Sequence, residues 1–344
     1  MEKIGIKCKP WNRSRSPRKI LAIRLQALGD TVITLPYLLD LKQKHPLLEI
    51  HFLTRKEVSA IPKHIELFKR VIAIGGARNT RLQFLLMLFR LPFLWWQRYD
   101  VVLDLQNNVL SAMVRKLLMP KAWSEFDKYS DHSAGERTRI TIEALQLWHV
   151  NLNTNFETKV DIDSLLLANG WRKDCQMVVL NPAGAFPSRH WSLDYYIEFA
   201  KRWLDQISPN TQFVLLLLPT VRDRADYITN ALGNACINLT GKASQVEAFA
   251  IIKKCCFVLS EDSGLMHMAW VQRVSTLALF SSSNKVWSAP QGNWSLCLNS
   301  SDMECGPCQL SICKFGDNRC LTRYQPEFVL SKAQGLLNYS NADS

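Results

Sequence analysis

"KILAIRLQALGDTVITLPYLLDLKQK", residues Lys19–Lys44, decides the fold class. Lys19–Leu25 is a short apolar run with β-branched residues, the pattern of a buried strand. "QALGDT" breaks it, and "DTVITLPYLLDLKQKHP" then repeats apolar residues at helical spacing. Strand, tight loop and helix open an α/β sheet. The alternation continues through "EIHFLT", "VIAIGG" and "YDVVLDLQ" (Tyr99–Gln106), with helical patterns between. A second series starts at "MVVLNPAGA" (Met177–Ala185). It passes through "SLDYYIEFAKRWLDQI", "QFVLLLLP", "VRDRADYITNAL" and "ACINLTG", then "QVEAFAIIKK", "CFVLSED" and "VSTLALF". Two such series predict two α/β domains on parallel sheets, and 344 residues suffice for two cores. The break falls near "DIDSLLLANGWRKDC". The expected organisation is a basic extension 1–18, a first domain 19–165, and a second domain 166–344 ending in a cysteine-rich loop, 305–320, and a terminal helix.

In open α/β sheets ligands bind beyond the carboxyl ends of the strands, so three polar loops stand out, and a cleft between the domains is expected. In "QALGDT", Gly29 permits a tight turn and Asp30 opens the helix. The carboxylate there either caps backbone N–H groups or serves as a general base. "NPAGAFPSRHW" places Gly184, Ser188 and Arg189 between strand and helix, which suits a phosphate as well as a plain solvated loop. In "SEDSGLMH", Asp262 to Gly264 begin another helix. Its free N–H groups suit a diphosphate and the carboxylate suits sugar or ribose hydroxyls. His267 follows three residues later and is either part of that site or a core histidine. Neither G-x-x-x-x-G-K nor G-x-G-x-x-G opens a domain, which argues against a Walker loop and a dinucleotide oxidoreductase.

Together these loops resemble glycosyltransferase family 9, the ADP-heptose:lipopolysaccharide heptosyltransferases. The resemblance is carried by "RLQALGDTVITLP", "NPAGA…SRHW" and "SEDSGLMHMA", of which D-S-G-L-M-H is the most specific. "DHSAGERTRITIEALQLW" is similar to the family segment bearing a His and an Arg, here His132 and Arg137. The match runs roughly from Lys19 to Val329. It implies a GT-B fold: two Rossmann-like domains facing an interdomain cleft, acceptor on the first and nucleotide-sugar on the second. It implies Asp30 as the base that deprotonates the acceptor hydroxyl, with Gly29, Thr31, His132 and Arg137 on the acceptor side. Gly184, Ser188, Arg189, Asp262, Ser263, Gly264 and His267 fall on the donor side, Arg189 holding the diphosphate. The implied reaction moves a heptose from ADP-heptose to a lipopolysaccharide inner-core acceptor in one displacement, with inversion. That chemistry asks for one base and a stabilised leaving group, not a glycosidase's carboxylate pair, and it requires no cofactor. A relative using another nucleotide-sugar or acceptor would carry the same loops, because specificity lies in the pocket walls.

The net charge of +12 is uneven. Met1–Arg139 holds 25 Lys+Arg against 12 Asp+Glu, and the remainder 17 against 18. The excess is either a solvated face or a surface meeting something anionic. "LQFLLMLFRLPFLWWQRY" (Leu82–Tyr99) is apolar but interrupted by Arg90 and Pro92. It is too short to span a bilayer, and reads either as a buried helix or, with Trp95 and Trp96, as an interfacial patch. No secretory signal is evident at the N-terminus. The expectation is a cytoplasmic protein, peripherally associated with the inner membrane, whose partners are a nucleotide-sugar, a lipid-anchored anionic saccharide acceptor and the anionic membrane surface. Four of the ten cysteines, Cys305, Cys308, Cys313 and Cys320, are spaced as a candidate structural zinc site. A nucleic-acid-binding protein built on the basic part and a zinc module is the competing class. The cluster's place in the charge-balanced part speaks against it.

Overall fold

The computed structural model describes residues 6–147, 149–152 and 155–342. The chain divides into two compact units, Met1–Lys159 and Val160–Ser344. In the first, β1 (Cys8–Lys9), β2 (Lys19–Ile23), α1 (Leu28–Lys44), β3 (Glu49–Arg55), β4 (Arg70–Ile74), α2 (Thr80–Trp96), β5 (Val101–Asp104), α3 (Val109–Leu118), β6 (Ala122–Glu125) and α4 (Ala134–Glu143) follow in order. The sheet runs β1-β6-β5-β2-β3-β4. Its pairs are parallel except β1 on β6, where Cys8 faces Ser124 and Lys9 faces Trp123. Ile20–Ile23 and the whole of β5 are buried, the continuous apolar runs of strands covered on both faces.

The basic extension joins the first unit, although its first five residues lie outside the described residues. It supplies β1, and Trp11 is buried, its N–H donating to the Leu145 carbonyl (3.0 Å) and its Nε1 to the Arg15 carbonyl (2.9 Å). An edge strand and one aromatic anchor hold the segment despite its charge. The apolar helix α2 buries only Gln83, Met87 and Leu94. Leu82, Leu85, Leu88, Phe89, Trp95 and Trp96 are exposed, so the segment is not an ordinary buried helix.

The second unit contains β7 (Gln176–Asn181), α5 (Leu193–Gln206), β8 (Thr211–Leu215), α6 (Arg222–Leu232), β9 (Cys236–Asn238), α7 (Gln245–Lys254), β10 (Phe257–Glu261), α8 (Gly264–Trp270), β11 (Ser275–Leu279), β12 (Ser295–Leu298) and α9 (Pro326–Ala342). Its strands, all parallel, run β12-β11-β10-β7-β8-β9. α5 buries Tyr196, Ile197, Phe199, Ala200 and Trp203, the stripe that three- and four-residue spacing puts on one face. α9 lays Val329, Leu330, Ala333 and Leu336 on the same core. Ser244 and Glu247 close the start of α7 with a reciprocal capping box.

Both sheets carry the doubly wound order, three strands one way from the first and the rest the other way. The order reverses between β2 and β5 in one unit and between β7 and β10 in the other. Loops at such a reversal diverge and leave room for a ligand. Among the described residues no helix is long and apolar enough to cross a membrane.

Because Trp11 anchors the N-terminal segment, Trp11→Ala should destabilise the chain by about 3 kcal/mol. Urea unfolding measures this; an unchanged midpoint would show that the segment contributes nothing.

Candidate active site

In the first unit, the loop after β2 is tied to the loop after β5. Gln106 Oε1 accepts the N–H groups of Leu25 (2.9 Å) and Gln26 (3.0 Å). Buried Asp104 in turn accepts the Asn107 N–H at 2.7 Å and shapes the β5 end. Asp30 is the third residue of α1, not its N-cap. Its Oδ2 accepts the N–H of the N-cap residue Ala27 (2.9 Å) and its Oδ1 pairs with Arg24 Nη2 (2.9 Å). The carboxylate is therefore fixed at two points while its side chain remains 37% exposed. Arg24, 7% exposed, also donates to the Leu105 carbonyl. Arg24 and Arg137 both lie over the Phe126 ring, at 4.9 and 5.0 Å. Burial, with the neighbouring Arg24 charge second, holds Arg137 below the usual arginine range. The Nε atoms of both arginines are buried and unpartnered.

The other residues expected on the acceptor side are placed unequally. Arg137 joins the Asp30 group through the Arg24 and Asp30 charges. His132 stays exposed on the loop before α4, its backbone N–H on Ser130 Oγ (3.3 Å). Thr31 is fully buried in α1. Gly29 lies in the first turn of α1 and is absent from the positive-φ glycines, so no left-handed turn requires it. Arg24, Gln106 and Phe126 were missed. Arg24 follows directly on β2 and Gln106 lies two residues past β5, so strand-end polarity was the available signal.

The second unit's site is organised by Glu261, the last residue of β10. It is fully buried. Its Oε2 accepts the Gly184 N–H (2.6 Å) and its Oε1 the Trp191 N–H (2.8 Å), so one carboxyl group holds both ends of the 184–191 loop. Burial pushes the Glu261 carboxyl up to about 8, against the pull of the Gly184 N–H, Arg224 and the Trp191 N–H. Gly184 has no room for a side chain: a Cβ there would stand 2.7 Å from Arg189 Cβ and 3.0 Å from Glu261 Oε2. His190 donates Nε2–H to the Gly184 carbonyl (3.0 Å); burial and Arg224 hold its pKa below the ordinary value.

Arg189 Nη1 pairs with Asp262 Oδ2 (2.9 Å), which also accepts the Ser283 hydroxyl (2.6 Å). Asn181 Nδ2 donates to Ser260 Oγ (2.8 Å) and Ser263 Oγ (2.6 Å). Arg224 Nε donates to the Pro182 carbonyl (2.8 Å). Arg189 Nε, Arg224 Nη2 and Asn181 Oδ1 are buried without a hydrogen-bond partner, Arg224 Nη2 standing 3.9 Å from Glu261 Oε1, a concentration of unused hydrogen-bonding capacity of the kind a bound ligand satisfies. Gly264 begins α8 behind Ser263. Two expected residues are drawn elsewhere. Ser188 is buried, its hydroxyl on Ser282 Oγ (2.9 Å) and the Leu310 carbonyl (2.5 Å), and so fastens loops. His267 is buried and accepts the Trp270 Nε1–H at Nδ1 (3.0 Å), which places its proton on Nε2 when neutral. Arg224 and Ser283 were missed because each is an ordinary polar residue outside the three motif loops, and Asn181 because it stands at the strand end that opens "NPAGAFPSRHW" and carries no charge.

Cys305, Cys308, Cys313 and Cys320 line one cavity of about 20 Å³, and all are free thiols. Yet among the described residues no group of three or more His, Cys, Asp or Glu could hold a metal ion. The thiols sit in unlike surroundings: Cys308 is exposed, and Cys320 packs on the core, where burial pushes it up to about 11. Slight burial raises Cys313, but the N–H groups of Phe315, Asn318, Gly316 and Asp317 outweigh it and leave its pKa below the ordinary value.

The family model described as glycosyltransferase family 9 (heptosyltransferase) matches residues 153–318. Lipooligosaccharide heptosyltransferase 2 of Campylobacter jejuni is 27% identical, over 71% of this chain and 77% of that protein. Lipopolysaccharide heptosyltransferase 1 of Pseudomonas aeruginosa is 23% identical over 93% and 98%. The fold is similar to that of Escherichia coli ADP-heptose lipopolysaccharide heptosyltransferase II, with a TM-score of 0.69, 20% identity, and coverage of 94% of this chain and 99% of that one.

The raised Glu261 carboxyl makes a pH prediction. Unfolded, it ionises near 4.5; folded, near 8. Its contribution to stability is thus greatest at low pH, falls as pH rises from about 4.5 towards 8, and is constant above. Glu261→Gln removes that slope, so the gap in Tm between wild type and variant should shift against wild type across this window. A gap independent of pH would mean that the carboxyl titrates normally.

Proposed function

The chain is a glycosyltransferase of family 9, and from that premise we propose that it transfers a heptose from ADP-heptose to a lipopolysaccharide inner-core acceptor. The sugar, nucleotide and acceptor are taken from the proteins it is similar to. One observation carries the chemistry. At the strand-order reversal of one sheet stands a two-point-held carboxylate, Asp30, and at that of the other stand Arg189 and Arg224, each with a buried N–H group that lacks a hydrogen-bond partner.

Asp30 accepts the proton of the acceptor hydroxyl as that oxygen attacks the anomeric carbon. The bond from that carbon to the diphosphate oxygen breaks, ADP leaves, and the configuration inverts. Arg24 and the Ala27 N–H orient the carboxylate, so it need not be ordered as the reaction proceeds. Arg24 and Arg137 add positive charge where an anionic acceptor docks. On the donor side Arg189 takes the diphosphate charge, exchanging part of its Asp262 pairing for phosphate oxygens, while Asp262 and Ser263 offer groups to donor hydroxyls. Stabilising the departing anion this way is the electrostatic part of the catalysis. Two arginines meet the leaving group's charge, and the scheme calls on no cofactor.

Asp30→Asn keeps an oxygen for the Ala27 N–H but cannot take a proton. Turnover should fall by about 10²–10⁴ with ADP affinity unchanged. Near-normal turnover would remove Asp30 as the base. Arg189→Ala should weaken ADP binding by about tenfold or more, with Arg189→Lys recovering part, since Lys supplies charge without the planar fork. Calorimetric titration with ADP reads both, and equal affinities would end the diphosphate assignment.

A further inference from the structure

The outer face of α2 and α3 has no counterpart in the transfer chemistry. Leu82, Leu85, Leu88, Phe89, Trp95 and Trp96 are exposed along α2, Phe89 by 76% and Trp96 by 77%. A helix apolar all round is normally buried all round, and contiguous exposed apolar surface marks an interaction site. Leu88, Leu91, Pro92 and Trp95 from α2 meet Leu117 and Met119 from α3 across an almost wholly apolar groove of about 600 Å³. A second hollow of about 590 Å³ adjoins it, sharing Lys116 and Met119, and is lined by Lys7 and Lys9. Its one carboxylate, Glu125, is paired with Arg115.

The charge along the two segments that carry this face has one sign. Between Glu66 and Asp100 there is no acidic residue, against Lys69, Arg70, Arg78, Arg81, Arg90 and Arg98. Between Asp104 and Glu125 there is again none, against Arg115, Lys116 and Lys121. Exposed Trp and Phe with Arg and Lys beside them suit the boundary between acyl chains and headgroups, where aromatic rings settle and long cationic stems reach phosphates. A second copy of the chain fits poorly. A two-fold contact would set the patch against itself and bring Arg90 and Lys116 towards their own kind.

We infer that the α2–α3 face docks the protein on a bilayer rich in anionic phospholipid, with Phe89, Trp95 and Trp96 entering the interface and Arg90, Lys116, Lys7 and Lys9 meeting headgroup phosphates. The inference extends the proposed reaction by giving it a surface, but stands on this face and not on the chemistry. The full chain is sedimented with vesicles of phosphatidylcholine alone and of phosphatidylcholine with about one-third phosphatidylglycerol. Partition into the anionic vesicles should be at least about tenfold stronger and should weaken as salt rises. Phe89→Ser/Trp96→Ser and Arg90→Glu/Lys116→Glu should each lower it by about tenfold. Because these side chains are exposed, Tm and transfer to a delipidated, water-soluble acceptor should not change. Equal partition into both vesicle types, or variants that bind like wild type, would overturn the inference. So would a dimer in solution that Phe89→Ser/Trp96→Ser disperses, since the face would then belong to a second copy. Vesicle binding without any transfer activity would count against the proposed reaction and leave the docking face standing.

Discussion

A single buried carboxyl group, Glu261, decides the form of the second unit's site. Leaving two buried N–H groups unpaired is unfavourable by about 1–3 kcal/mol each, so the connection from β7 to α5, residues 182–192, is pinned wherever Glu261 can reach. It reaches Gly184 at one end and Trp191 at the other. The rest follows from that span. The chain at residue 184 passes so close to Arg189 and Glu261 that only a glycine fits. His190 turns back to the Gly184 carbonyl, and Arg189 is left directed at Asp262. Arg189, proposed to meet the diphosphate, is thus positioned through the loop that Glu261 holds.

The first unit reaches the same result with different atoms. There Gln106, just past β5, accepts two N–H groups of the loop after β2, and Asp30 then fixes the loop's far end through Ala27. In both sheets a polar side chain from one side of the strand-order reversal holds the backbone on the other. The two readings of Asp30, helix capping and proton acceptance, do not compete. The carboxylate satisfies the start of α1 with one oxygen and pairs with Arg24 through the other, and the side chain keeps an exposed surface.

Much of this was legible in the sequence because parallel strands buried on both faces leave uninterrupted apolar runs. β2, β3, β4, β5, β7, β8, β9, β10 and β11 coincide with such runs. The strands that escaped notice, β1, β6 and β12, are short and lie towards one edge of each sheet, where two to four residues with mixed polarity give no period to detect. In the site, Asp30, Arg189 and Asp262 stood out because their loops carry motifs. Glu261 was quoted with its motif but its role was hidden: burial and two backbone partners some 70 residues away are properties of the folded chain. Ser188 shows the converse. Its motif loop suggests a ligand contact, yet packing gives its hydroxyl to Ser282 Oγ and the Leu310 carbonyl.

The helix α2 illustrates a different limit. Its sequence is apolar on every side, so periodicity alone cannot say which side faces the core. The structure resolves this against expectation for a free surface: buried Gln83 sits in the inward stripe with Met87 and Leu94, while Trp95 and Trp96 stay outside. In water such a face lowers solubility and invites association. The absence of any carboxylate between Glu66 and Asp100 offsets this by self-repulsion between copies, and the same repulsion turns to attraction at a negative surface. Charge and apolarity, each unfavourable to a free globular surface in this concentration, are both accommodated by the anionic bilayer proposed above as the partner of this face.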